Sequence, residues 1–224
     1  MIGVSFLALS AIVFWGSGIT AADRSFEDRF LPNGQSTQTG ESGTYNFDKA
    51  HTFISFKVKH NGLIYVPGFF RDFTGAVTYD AKDVSKSSVT FTAKATSIDT
   101  GVTGRDTHLR SADFFEVEKF PEVTFKSTKV EKKGKDMIVT GDFTMKGVTK
   151  SISIPFSIPG FIGAAPRQRM GIIGETTINR RDYGVNYGSN IAGTTIPVIA
   201  DEVSIMLQIE AIPPRPPAAA TPAE

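Results

Sequence analysis

Three histidines are the side chains of this chain best suited to act as a base or to bind a metal, and their spacing favours neither. His51 and His60 lie an odd number of residues apart, so in one continuous strand they would face opposite sides. His108 belongs to a different segment, and the chain has no cysteine to complete a zinc set. The same absence removes disulfides, thiol nucleophiles and a lipoprotein cysteine. Arg105, Asp106, Arg110 and Asp113 form a charged cluster, with Asp106 and Arg110 at the spacing of an ordinary helix pair. Structurally, the cluster anchors a helix to the rest of the domain. Functionally, one arginine would meet an anionic head group by bidentate contact. Arg71, Arg180 and Arg181 compete for that role, so the head-group candidates are Arg71, Arg105, Arg110 and Arg180. No nucleophile elbow, P-loop or dinucleotide fingerprint occurs. The expectation is no catalytic residue, no metal and no cofactor.

Composition narrows the partners. Lysine plus arginine total 24 against 23 acidic residues, a balance that gives no basic face for nucleic acid. Phenylalanine, at 18 residues, supplies a large apolar interior, and the single tryptophan lies in the N-terminal run. Residues 1–22 carry no charge and pass from an apolar core through Gly16-Ser17-Gly18 to Thr20-Ala21-Ala22. That order reads as a secretory signal, although its start lacks lysine or arginine. An uncleaved membrane anchor is the alternative, since the stretch approaches the ~20 residues of a span. Residues 23–43 read as a flexible linker, and the Pro/Ala-rich residues 213–224 as a disordered tail. The folded unit is then 44–212.

Within it, apolar and polar residues alternate with a period of two. Ile54, Phe56 and Val58 share a face; so do Phe73, Val77 and Tyr79; Val89, Phe91, Ala93 and Ala95; Val123 and Phe125. The pattern continues through Met137, Val139, Phe143 and Met145, then Ile152 to Ile158, Met170 to Ile178, and Val203 to Ile209. About eight strands joined by short turns, such as Lys146-Gly147, predict one antiparallel sheet. Residues 104–116 break the pattern and predict a short helix with Asp106 as its cap.

A sheet with one apolar face buries it by layering or by closing on itself, and only closure removes the edges. The fold expected is all-β, a single eight-stranded antiparallel lipocalin-like barrel with one short helix. Such a barrel holds either side chains or one small ligand. Gly75, Ala93, Ala95, Gly141 and Gly174 would leave space, and Met137, Met145 and Met170 would adapt to a guest. A filled core explains the pattern equally well.

Gly104-Arg105-Asp106-Thr107-His108-Leu109-Arg110-Ser111-Ala112-Asp113-Phe114-Phe115, with Lys119-Phe120-Pro121, resembles a signature of the YceI-like family. The likeness continues through Tyr45 to Thr52, Thr140 to Lys150, Thr177 to Gly184 and Asp201-Glu202-Val203. The resemblance implies an extended lipocalin-type barrel around a polyisoprenoid or other long-chain amphiphile, in many members periplasmic. It tips the balance toward a cavity lined by Phe56, Val58, Phe73, Val77, Phe91, Phe125, Val139, Phe143, Ile154, Phe156 and Leu207. The expected role is to bind a polyisoprenoid, quinone-type or fatty lipid for storage, transport or stress protection in the cell envelope, without catalysis. Transient membrane contact and a homodimer stay open as partners. The expected location is periplasmic or secreted. A lipid-modifying enzyme using His108 or His51 as base, and a structural or adhesive surface domain with a filled core, are the rival readings.

Overall fold

Alternation becomes strand after strand in the computed structural model, which describes residues 38–133 and 136–214. In chain order the elements are β1 (Gly43–Phe47), β2 (Phe53–His60), β3 (Ile64–Phe70), β4 (Phe73–Tyr79), β5 (Ser88–Lys94), β6 (Ile98–Asp99) and helix α1 (Thr103–Arg110). Then follow β7 (Glu122–Lys133), β8 (Asp136–Met145), β9 (Val148–Ile162), β10 (Arg169–Asn179) and β11 (Ile199–Ile212).

These segments form eight staves. β1 and β2 lie end to end along β11, through Asn46↔Ile212 and Leu207↔Ile54. β4 and β3 pair with β1 and β2 in the same way, and β5 and β6 follow on β4 and β3. The ladder then runs through β7, β8, β9 and β10 back to β11, every pairing antiparallel. The result is a closed eight-stranded up-and-down barrel, as the alternation and the edge argument predicted. The three broken staves explain why the alternation registers eight strands rather than eleven.

Local chemistry explains the breaks and turns. After β1, the Asp48 carboxylate accepts the Ala50 N–H and turns the chain. After β5, a 3₁₀ turn at Ala95–Ser97 bends the stave, with the Ser97 hydroxyl donating to the Lys94 carbonyl. The β2–β3 and β8–β9 hairpins turn on Asn61-Gly62 and Lys146-Gly147, where both residues have positive φ. Two left-handed residues in succession give the turn whose twist matches paired strands.

The helix differs from its expected outline. It covers Thr103–Arg110, with Val102 at its N-cap position, and Asp106 lies within its first turn. The buried Asp106 carboxylate instead accepts the backbone N–H and the hydroxyl of Thr100, fastening the helix to the chain before it. Its expected partner Arg110 donates to the carbonyls of Thr96 and Ile98. Residues 111–119 continue as turns because Phe115 and Val117 send their N–H groups back to Leu109 and Arg110.

The segment read as a signal or anchor (1–22) lies outside the described residues, as do most of the linker and the tail from 215. The end of the linker is tied to the barrel. Glu41 N–H donates to Gln168 Oε1, Gln168 Nε2 donates to the Thr39 carbonyl, and Gly40 packs beneath the Phe161 ring.

Candidate functional site

The inward faces of the staves enclose two joined cavities. The inner one, about 140 Å³, is lined among others by Val77, Phe91, Val139, Ile154, Phe156 and Leu207, and presents apolar atoms throughout. The outer one, about 380 Å³, lies beneath α1 and adds His60, Arg105, His108, Arg180 and Tyr187 to an apolar wall. Phe56, Phe70, Val123, Phe143 and Ile205 border both. The interior is therefore a long apolar channel with polar groups gathered at one end.

Of the eleven residues expected to line a cavity, nine border the inner one: Phe56, Val77, Phe91, Phe125, Val139, Phe143, Ile154, Phe156 and Leu207. Val58 borders the outer cavity. Phe73 faces inward but is buried against Phe91, its ring centroid 6.3 Å away. The small residues behave differently from one another. A side chain at Gly75 or Gly141 would collide with the rings of Phe47 or Phe125, so these glycines accommodate neighbours rather than a guest. Gly174 does border the inner cavity, as does Met170, while Met145 borders the outer one.

The inner end is capped from inside. The Tyr79 and Phe161 rings lie 5.2 Å apart, and Tyr45 meets Phe161 edge-on at 6.3 Å. Tyr45 is buried and donates its hydroxyl to the Glu41 carbonyl and Gln168 Oε1, and burial raises its pKa above the usual phenol value.

The helix end is held by arginines. β11 carries two extra residues relative to β2 between Ile199 and Val203, which frees backbone carbonyls from the ladder. Buried Arg180 takes them up. Its Nε donates to Ala200 O, Nη1 to Val185 O and Tyr187 O, and Nη2 to Ile199 O and Asp201 Oδ1. Those five bonds match the five N–H groups of a guanidinium and leave no donor for a guest. Burial lowers the Arg180 pKa, and Asp201 opposes that shift. Arg110 serves as a strap, as described, and Arg71 donates to Asp99 over the Phe69 ring; neither lines either of these two cavities. Arg105, like Arg180, borders the outer cavity, but it bonds Thr100 through Nε and Nη2 alone.

The histidines are dispersed. His60 and His108 border the outer cavity, and His108 bonds Asp113 through Nε2 and stands edge-on to Phe114 and Tyr187. His51 precedes β2 on the outer wall, so the parity argument that treated it as part of that strand does not apply. There it bonds Asp48, with Glu210 close enough for the three to share a cation. Arg169, however, already places its guanidinium against both carboxylates.

Val66, Phe70 and Tyr187 were missed by the sequence reading. Pro67 interrupts β3 and hides its alternation, and Tyr187 stands in a loop with no periodicity.

Comparison with known proteins agrees with this architecture. The family model described as the YceI-like domain matches residues 45–211. Protein YceI of Escherichia coli O6:H1 is 36% identical over 172 residues, covering 75% of this chain and 86% of that protein. The crystal structure of a Campylobacter jejuni YceI protein superposes with a TM-score of 0.61 at 30% identity, covering 75% of this chain and 96% of that one. A domain from Saccharophagus degradans, described as polyisoprenoid-binding and implicated in plant cell wall breakdown, shares the fold at a TM-score of 0.58 and 16% identity, covering 78% of this chain and all of that one.

Proposed function

The chain belongs to the YceI-like domain family, and on that premise we propose that its barrel binds a long-chain apolar lipid of the polyisoprenoid or isoprenoid-quinone type. The observation that carries this reading is the joined channel, apolar along its length and polar at the helix end alone. A long amphiphile has the same asymmetry. Its tail would enter toward Tyr79 and Phe161, leaving the head beside His60, Arg105 and His108. Each methylene buried contributes ~0.8 kcal/mol at most, so a few isoprene units offset the cost of ordering the chain. Arg105 would then orient the head rather than supply most of the affinity.

The described similarity of the Saccharophagus domain supports the ligand class. Binding and carriage fit this wall better than turnover, since it is apolar along most of its length and no carboxylate stands among its lining residues. With residues 1–22 as an export signal, the protein would work in the periplasm or outside the cell, where a membrane-derived lipid needs shelter from water. Mass spectrometry of an organic extract of the purified full chain should reveal a bound long-chain lipid, and an emptied sample should take up added polyprenyl phosphate. Recovery of no such molecule, together with no uptake, would overturn the reading.

A further inference from the structure

The tip of the β2–β3 hairpin exposes large apolar side chains where exposure has no role in folding. Leu63 is 79% exposed, Ile64 63% and Tyr65 55%. Ile196, 42% exposed, comes from the loop before β11 and joins them: its Cγ2 lies 3.0 Å from where a Gly62 side chain would begin. The Asn61 N–H donates to the Val198 carbonyl, so hairpin and loop form one surface. We infer that this surface docks on an anionic lipid bilayer and presents the channel mouth to it, an inference that rests on the lipid-binding reading above.

Three observations select a bilayer. The first is charge. Residues 53–70 contain Lys57, Lys59 and His60 but no acidic residue, and residues 183–200 carry no Asp, Glu, Lys or Arg. Lys57 and Lys59 place their ammonium groups 5.4 and 5.6 Å from the Tyr65 ring, although Lys57 also approaches Glu175. A tyrosine flanked by lysines suits the membrane interface, where the ring sits at head-group depth and the cations meet anionic lipid.

The second is size. Four side chains on a projecting turn fall far short of the roughly 20–30 residues a side of a stable protein interface, whereas a short apolar projection suffices to enter a bilayer surface. The third is position. His60 and Val66 of this hairpin border the outer cavity, together with Tyr187, which is itself exposed. A lipid leaving the bilayer at this point enters the channel without crossing water.

The lack of cysteine makes a local test direct. Full-length T195C, beside Ile196, and K82C, in the turn after β4 at the capped end, are each labelled with an environment-sensitive fluorophore. Each is then titrated with vesicles of phosphatidylcholine, with or without phosphatidylglycerol. The expected result is a blue shift at position 195 with the anionic vesicles, reduced by salt, and none at position 82. Adding L63S and I64S to T195C should weaken vesicle binding at least about tenfold. An equal response at both positions, no response at 195, or a response unchanged by L63S/I64S overturns the inference. So does a homodimer that L63S/I64S dissolves while vesicles give no shift. Uptake of polyprenyl phosphate from detergent micelles is measured in parallel. If uptake fails while the shift at 195 persists, the fault lies with the lipid-binding reading; if uptake persists without the shift, it lies with the docking surface.

Discussion

At the capped end the barrel is held by ladder pairing and interlocking rings, whereas at the helix end it is held by side chains that reach for backbone. β1 bridges β4 and β11 beside Tyr45, Tyr79 and Phe161, and the preceding residues are pinned to Gln168. At the opposite end β11 bulges away from β2, and Arg180 and Arg110 donate to the carbonyls of Ile199, Ala200, Thr96 and Ile98. Loop-built structure of this kind leaves polar groups beside a cavity. Under the proposed function, a channel that admits a tail head-last would need that asymmetry: one end packed, the other polar.

The comparison is broken most severely at Arg180. Arg180→Ala strands the carbonyls of Val185, Tyr187, Ile199 and Ala200 and leaves Asp201 with Arg181 alone. Denaturant unfolding should show a loss of about 3–5 kcal/mol, with Arg180→Lys recovering little because an ammonium lacks the five-donor fork. A loss below 1 kcal/mol, by that order-of-magnitude reasoning, would mean the helix end does not depend on this clamp.

At the capped end, Phe161→Ala should cost about 3 kcal/mol by cavity formation, read by the same unfolding curves, and should speed escape of bound lipid. Stability lost without faster escape would show that the cap does not retain the tail. Gly174→Leu sharpens the contrast. A Cβ there meets only ordinary contacts at 3.4 Å, so the added side chain projects into the inner cavity at a cost of about 1–2 kcal/mol. Lipid recovered per mole of protein should fall severalfold while the fold persists; undiminished loading would locate the guest elsewhere.

Arg105→Ala should leave stability nearly unchanged and weaken uptake of a phosphate-headed lipid about fivefold, with no change for a neutral one of equal length. Equal loss for both would assign Arg105 to shaping the mouth. The smallest effect lies on the outer wall. His51, bonding the Asp48 carboxylate, holds its pKa below the usual 3.8, helped by the Ala50 N–H and by Arg169. A lowered carboxylate pKa stabilises the fold above the unfolded value and loses that contribution as pH falls through the folded value. Thermal melts should therefore lose about 1 kcal/mol or less below pH ~4, and Asp48→Asn should remove that part of the acid sensitivity. An identical acid profile in both proteins would deny Asp48 the role.

Much of this was legible in residue order. Alternation located the eight staves and most of the cavity wall, because a strand facing an apolar interior must repeat every second residue. It failed where the backbone departs from that period. The extra residue at Thr128 lets Val130 face inward out of phase with Phe125, and nothing in residue type announces the shift. Phe73 and Gly75 lie on the inward face, yet neighbouring rings rather than a guest occupy their surroundings. The four head-group arginines have the same chemistry in the sequence. Only packing separates Arg180, spent on carbonyls, from Arg105 at the channel.

By itself, then, the amino-acid sequence determined the antiparallel sheet, the short helix after β6, the lack of thiol chemistry and the YceI-like likeness, since these follow from period, composition and motif order. Tertiary structure decided which inward residues border space, which end is capped, and which charged groups keep donors for a ligand. Those properties depend on how staves of unequal continuity close around one another, and closure joins residues that no local rule relates.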